Sequence, residues 1–119
     1  MKRLAGLLLL SLGVLILPAP LKGAPAKIQA VATIPDLADM ARNIAGDLIE
    51  VTSLATGVED IHAVQMKPSF AVLLNRADVL LLVGLEVEHA FLPGLLEAAR
   101  NPRILRDAPG YIEIGRAHV

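Results

Sequence analysis

The chain of 119 residues contains no cysteine and no tryptophan, and its aromatic residues are two phenylalanines and one tyrosine. The absence of cysteine excludes disulfide bonds. It also excludes a lipid anchor attached through a cysteine at a mature N-terminus. If the chain is exported, we therefore expect a soluble protein without disulfides.

Two common nucleotide and hydrolase motifs are also absent. The turn after the first apolar run, residues 32–36, reads Ala-Thr-Ile-Pro-Asp and lacks the glycines with which a backbone wraps a phosphate. No Gly-x-Ser-x-Gly sequence, the nucleophile motif of α/β hydrolases, occurs in the chain. These absences argue against a dinucleotide-binding protein, a P-loop protein and an α/β hydrolase.

The N-terminus has the pattern of a secretory signal peptide. Lys2 and Arg3 precede an apolar run over residues 4–17. This run is shorter than the ~20 apolar residues that a membrane-spanning helix needs. Small residues at Ala24 and Ala26 favour cleavage before Lys27. We therefore predict a cleaved signal peptide over residues 1–26 and a periplasmic mature protein.

The mature part is mildly acidic. Without Lys2, Arg3 and Lys22, the eleven basic residues fall to eight against twelve acidic ones, which gives a formal charge of −4. Nucleic-acid binding requires clustered lysine and arginine that displace counterions from phosphates. We therefore predict no nucleic-acid partner, and the charge favours a cation or a neutral ligand.

Apolar runs typical of strands alternate with helical patterns after the signal peptide. Strands are predicted at 27–33, 47–54 and 78–83, with a fourth at either 103–105 or 111–112. Helices are predicted to begin at Pro35, at Pro68 and either near Ala90 or at Glu86, and only a start at Glu86 would let Pro93 kink the third helix. This alternation predicts an α/β fold, a parallel sheet with flanking helices. About 90 residues make a small unit with an open sheet edge, so we expect a larger parent protein.

The first helix has the clearest local signals. Thr33 and Asp36 are spaced as an acidic variant of a capping box at its start. Its apolar residues recur every three or four positions and predict a core face, made of Leu37, Met40, Ala41, Ile44 and Ala45.

The loop at residues 57–69, GVEDIHAVQMKPS, is the best candidate for a functional site. It follows the second predicted strand, and ligand clefts of open α/β sheets lie outside the carboxyl ends of the strands. Asp60 and His62 are two residues apart in it. His62 is either a metal ligand or a loop histidine hydrogen-bonded to its backbone neighbours.

Other ionisable residues give weaker signals. His89 follows the third strand, so right-handed crossovers would place it on the same sheet edge as His62, although a surface histidine at a helix start is the simpler interpretation. The acidic pairs at 59–60 and at 86 and 88 are interpreted as solvated loop charges. No role is assigned to His118, near the C-terminus.

From Ile28 to Ile112 the chain resembles the periplasmic metal-binding proteins of ABC importers for zinc and manganese. The matching segments occur in order: Val31-Ala32-Thr33-Ile34 with Asp39, Asn43, Ile44 and Gly46; Val51-Thr52-Ser53-Leu54; Asp60-x-His62 with Pro68-Ser69; Ala77-Asp78; Gly84-Leu85-Glu86-Val87-Glu88; Phe91-Leu92; and Leu95-Leu96. The resemblance implies a two-lobed, non-enzymatic solute-binding protein. In that protein, residues 27–113 would form part of the N-terminal lobe.

The resemblance also implies that His62 is the first metal ligand. The family's loop usually reads Asp-Pro-His followed by an aromatic residue, whereas this chain has Ile61 and Val64 at the corresponding positions. The resemblance places the other ligands and the second lobe beyond residue 119. It implies a divalent ion, zinc or manganese, a membrane permease as partner, and a monomer. The alternatives are an exported α/β enzyme with Asp60 and His62 as an acid–base pair, and a metal-stabilised surface adhesin.

The last six residues, 114–119, read Ile-Gly-Arg-Ala-His-Val. The codons ATC GGA AGA GCA CAC GTC would encode this sequence, and that nucleotide string is the start of a common sequencing-adapter oligonucleotide. We therefore expect residues 114–119 to be a non-native tail, which would leave His118 without functional meaning.

Overall fold

The computed structural model describes residues 23–116. Residues 1–22 of the predicted signal peptide and residues 117–119 of the predicted tail lie outside this range, and His118 lies there with them. Within residues 23–116, none of the helices combines the length and the apolar character of a membrane span.

The described residues form a four-stranded parallel sheet with helices on both faces. The strands are β1 at Ile28–Ala32, β2 at Ile49–Ser53, β3 at Val79–Leu82 and β4 at Tyr111–Glu113. Their order across the sheet is β2-β1-β3-β4, and all three neighbouring pairs are parallel. The predicted α/β fold is therefore confirmed. The sequence offered two candidates for the fourth strand, and the one near residue 111 is correct, with β4 at Tyr111–Glu113. The other candidate region contains a 3-10 turn at Pro102–Ile104.

Three α-helices connect the strands: α1 at Pro35–Ala45, α2 at Pro68–Arg76 and α3 at Leu92–Ala99. Each helix has a proline at its first or second position, where the missing N–H has no helical partner to lose. Pro93 therefore lies in the first turn of α3 and does not kink it.

The sheet separates two apolar clusters. The larger cluster packs α2 and α3 against one face and includes Phe70, Leu74, Leu80 and Phe91, all buried. The smaller cluster lies on the other face, where Leu37 and Ala38 of α1 pack against Ala30, Ala32 and Val51. Successive residues of β1 alternate between the two clusters, as the pleat of a strand requires.

The predicted core face of α1 was partly wrong. Leu37 is buried and Ala41 packs against the core, but Met40 is 60% exposed and Ile44 is 87% exposed. Helical periodicity allowed two overlapping stripes on this helix. The stripe with the small residues Ala38 and Ala41 lies on the sheet, because small side chains let the helix approach it closely.

The predicted capping box at Thr33 was also wrong. The residue that caps α1 is Ile34, with no side-chain hydrogen bond. Thr33 is fully buried, and its hydroxyl donates to a carboxylate oxygen of Glu88 at 2.7 Å. The Thr33 hydroxyl is therefore bonded to Glu88, 55 residues away, and does not cap the helix.

Two residues before β4 hold the connection from α3 to β4 against the rest of the sheet. Asn101 is buried, and its amide nitrogen donates to the carbonyl oxygens of Leu74 at 2.8 Å and Ala77 at 2.7 Å, at the end of α2. A Cβ added at Gly110 would lie 2.3 Å from the carbonyl oxygen of Asp78 and 2.5 Å from that of Arg103. No other residue type fits at Gly110 unless the backbone moves.

Candidate functional site

All four strands point the same way, so their carboxyl ends form one edge of the sheet. The loop after β2 and the turn after β3 both leave the sheet at this edge. They carry His62 and His89, which places both histidines on the predicted cleft side.

Asp60 holds His62 in place through the backbone. It caps a 3-10 turn at Ile61–Ala63, and its carboxylate accepts a hydrogen bond from the backbone N–H of His62 at 2.9 Å. The carboxylate is therefore bonded to the backbone of His62 and not to its imidazole. No hydrogen bond joins a ring nitrogen of His62 to any residue between 23 and 116, and the side chain is exposed.

Glu59 closes the start of the same loop. Its carboxylate accepts hydrogen bonds from the hydroxyl of Thr56, from the backbone N–H of Thr56 at 2.9 Å and from that of Val58 at 3.2 Å. These bonds, above all the one from the Thr56 hydroxyl, lower the pKa of Glu59 from 4.5 to about 2. An ionised Glu59 therefore orders the segment that leads into Asp60 and His62.

The turn after β3 has an unusual backbone. Gly84, Leu85 and Glu86 have φ angles of 81°, 55° and 66° in succession. Left-handed residues other than glycine cost on the order of 1 kcal/mol or more each. Such a turn persists only where surrounding contacts determine it.

Glu88 supplies those contacts. One carboxylate oxygen accepts from the Thr33 hydroxyl and from the backbone N–H of Val83, both at 2.7 Å. The other accepts from the backbone N–H of Gly84 at 3.0 Å. The side chain is 3% exposed, so the prediction that Glu88 is a solvated loop charge was wrong. The signal in the sequence was that Glu88 lies four residues after Gly84, close enough for its carboxylate to accept a hydrogen bond from the backbone of the same turn.

The two histidines meet at the sheet edge. Their ring centroids are 6.0 Å apart, and the ring planes are inclined by 50°. The Nδ1 atom of His89 lies 2.5 Å from the carbonyl oxygen of Glu86. The distance between the rings shows that His89 lies at the cleft side of the sheet with His62. The sequence did not decide between this position and that of a surface histidine at a helix start.

Two exposed imidazoles at one edge are suitable donors for a transition-metal ion. Between residues 23 and 116, however, no group of three or more His, Cys, Asp or Glu side chains is close enough together to hold one. A metal ion usually takes four or more donors, so the two imidazoles fit part of a site. The metal-ligand role of His62 stays a prediction.

This chain is similar to known metal-binding proteins. The manganese ABC transporter substrate-binding lipoprotein PsaA of Streptococcus anginosus is 32% identical over 109 residues, which cover 85% of this chain and 35% of PsaA. PsaA of Streptococcus pneumoniae matches with the same identity and coverage. The chain thus spans about a third of the length of the curated relatives it matches.

Solved structures agree with this similarity. A crystal structure of ZnuA superimposes with a TM-score of 0.59 and 30% identity, covering 64% of this chain and 30% of that one. A manganese-bound variant of the periplasmic metal-binding protein from Candidatus Liberibacter asiaticus gives a TM-score of 0.54 at 26% identity, covering 76% of this chain and 28% of that one. The predicted resemblance is therefore confirmed.

The names of these relatives also bear on function class and location. PsaA is named a substrate-binding protein, which agrees with the prediction of a non-enzymatic protein and argues against the enzyme alternative. A periplasmic family and lipoprotein relatives indicate an extracytoplasmic location. The family model of ZnuA, the periplasmic component A of a zinc-uptake complex, matches residues 30–117, and the chain belongs to that family.

Proposed function

We propose that this chain is the first part of a periplasmic solute-binding protein that captures a divalent metal ion, zinc or manganese, for an ABC importer. Residues 1–26 would direct export as a cleaved signal peptide, and residues 27–113 would form part of the N-terminal lobe. The partner of the complete protein would be a membrane permease, and the protein would act as a monomer.

The observation that carries this proposal is the placement of His62. Its imidazole is exposed at the carboxyl edge of the sheet, on a turn that Asp60 caps. A ring turned inward among aliphatic side chains would have no access to a metal. The exposed ring is instead available to donate a nitrogen to a cation held between this lobe and further chain.

Metal binding by His62 can be tested with two variants. Zinc and manganese are titrated into the complete, metal-free gene product, its His62→Ala variant and a Gln65→Ala control. Gln65 is an exposed polar residue of the same loop. Removal of a ligand should weaken metal binding at least about tenfold, whereas the control should bind as the parent does.

Three outcomes separate the alternatives. Weakened binding with unchanged unfolding of the metal-free variant supports the capture of a metal at His62. Equal affinities in His62→Ala and the parent remove His62 from the site. A metal-free protein that does not fold until the metal is added would favour the metal-stabilised adhesin instead.

A further inference from the structure

We propose that His89 is a second imidazole ligand of the cation that His62 binds, and that this pair biases the site toward zinc over manganese. The inference rests on the proposed function. It adds a ligand from the turn after β3 to the one from the loop after β2, so that a single lobe supplies two nitrogen donors.

The ring separation fits a shared cation. Zinc–nitrogen distances of ~2.0–2.1 Å and tetrahedral angles place the centroids of two imidazoles on one ion about 5 Å apart. The centroids of His62 and His89 are 6.0 Å apart. The difference between the two separations is about 1 Å, so small side-chain rotations close it. Both side chains are exposed, so neither is held by surrounding core residues.

The hydrogen bond of His89 selects the tautomer that a ligand needs. A carbonyl oxygen can only accept a hydrogen bond, so the Nδ1 atom that lies 2.5 Å from the Glu86 carbonyl carries the proton. In the neutral ring, the lone pair is then on Nε2. Metal-ligating histidines commonly donate their other ring N–H to a backbone carbonyl in this way.

The backbone that carries His89 is fixed before any metal arrives. The adjacent residue, Glu88, is buried and bonded to the ends of β1 and β3. The left-handed residues from Gly84 to Glu86 direct the Glu86 carbonyl toward the His89 ring. A ligand held by such a turn needs little ordering on binding, which favours affinity.

The donor type implies a preference between the two metals. Imidazole nitrogen suits zinc, whereas manganese favours carboxylate, carbonyl and water oxygens. A second imidazole should therefore strengthen zinc binding more than manganese binding. Removing His89 should narrow the difference between the two affinities.

The test combines affinities with a spectrum of the unaltered protein. Zinc and manganese are titrated into the complete, metal-free gene product, His89→Ala, His62→Ala and the Gln65→Ala control. His89→Ala should weaken zinc binding about tenfold or more and manganese binding less. Independently, a histidine side-chain ¹H–¹⁵N spectrum of the unaltered protein should show the Nε2 resonance of His89 shifting on addition of zinc.

The outcomes distinguish this inference from the function on which it rests. If His62→Ala loses affinity while His89→Ala binds zinc as the parent does and the His89 Nε2 resonance does not move, His89 is no ligand and the proposed function stands. If neither variant loses affinity, the proposed role of His62 fails as well. Because the spectrum uses the unaltered protein, a folding defect in His89→Ala cannot imitate either result.

Discussion

Replacement of Glu88 by glutamine should destabilise the fold, because the carboxylate joins three parts of the sheet edge. One oxygen accepts from the Thr33 hydroxyl and the Val83 N–H, and the other accepts from the Gly84 N–H. Glutamine can keep its oxygen at the doubly bonded position. Its NH₂ group then faces the N–H of Gly84, so that two donors oppose each other.

The magnitude follows from these three bonds. Orphaning the Gly84 N–H costs about 1–3 kcal/mol, and the two remaining bonds lose the roughly twofold advantage of an ionised acceptor, about 1 kcal/mol each. The neutral amide is easier to bury than a carboxylate, which offsets part of this loss. We expect Glu88→Gln to lower the free energy of unfolding by about 2–3 kcal/mol.

Urea unfolding of the purified protein measures this change, with Glu86→Gln as the matched control. Glu86 is exposed and lies two residues away in the same turn, so its replacement should change the free energy of unfolding by no more than about 0.5 kcal/mol. The midpoint of Glu88→Gln should fall with an unchanged slope. Equal midpoints for the two variants would refute the assignment of Glu88 as the residue that ties the turn to β1 and β3.

Three further changes test the fold and the loop. Asn101→Ala removes the amide donor to the carbonyl oxygens of Leu74 and Ala77, of which that of Leu74 keeps the backbone N–H of Ala77, and should cost about 2–4 kcal/mol in urea unfolding, whereas Asn43→Ala on the exposed face of α1 should cost under about 1 kcal/mol. Gly110→Ala forces a Cβ within 2.5 Å of backbone oxygens and should destabilise by at least about 1–3 kcal/mol; a midpoint equal to that of the parent would contradict this packing. Thr56→Val should raise the pKa of Glu59 from about 2 toward 4.5 in an NMR titration, and an unchanged pKa would exclude the hydroxyl as its main cause. Because this pKa is lowered on folding, the stabilisation by Glu59 is present above pH 4.5 and is lost as the pH falls toward 2.

The sequence predicts the architecture well where local and long-range signals agree. The apolar run from residue 79 to 83 is typical of the interior of a parallel sheet, and β3 lies there between β1 and β4. Prolines at Pro35 and Pro68 mark the helix starts correctly, because their φ angle suits the first helical turn.

The sequence fails where a distant residue decides the outcome. Thr33 carries a capping signal, but its hydroxyl is bonded to Glu88, which lies 55 residues away. Asn101 follows α3, and its buried amide is bonded to the end of α2, 24 to 27 residues earlier in the chain. The alternation of strands and helices places His89 on the same sheet edge as His62, but the 6.0 Å separation of their rings depends on the left-handed turn, which no local pattern reveals.

The most direct test of metal capture at this sheet edge is an anomalous-difference map from crystals of the complete gene product grown with zinc. We expect a peak within about 2.0–2.1 Å of a ring nitrogen of His62. A metal peak elsewhere in the protein, with the His62 imidazole uncoordinated, would contradict it.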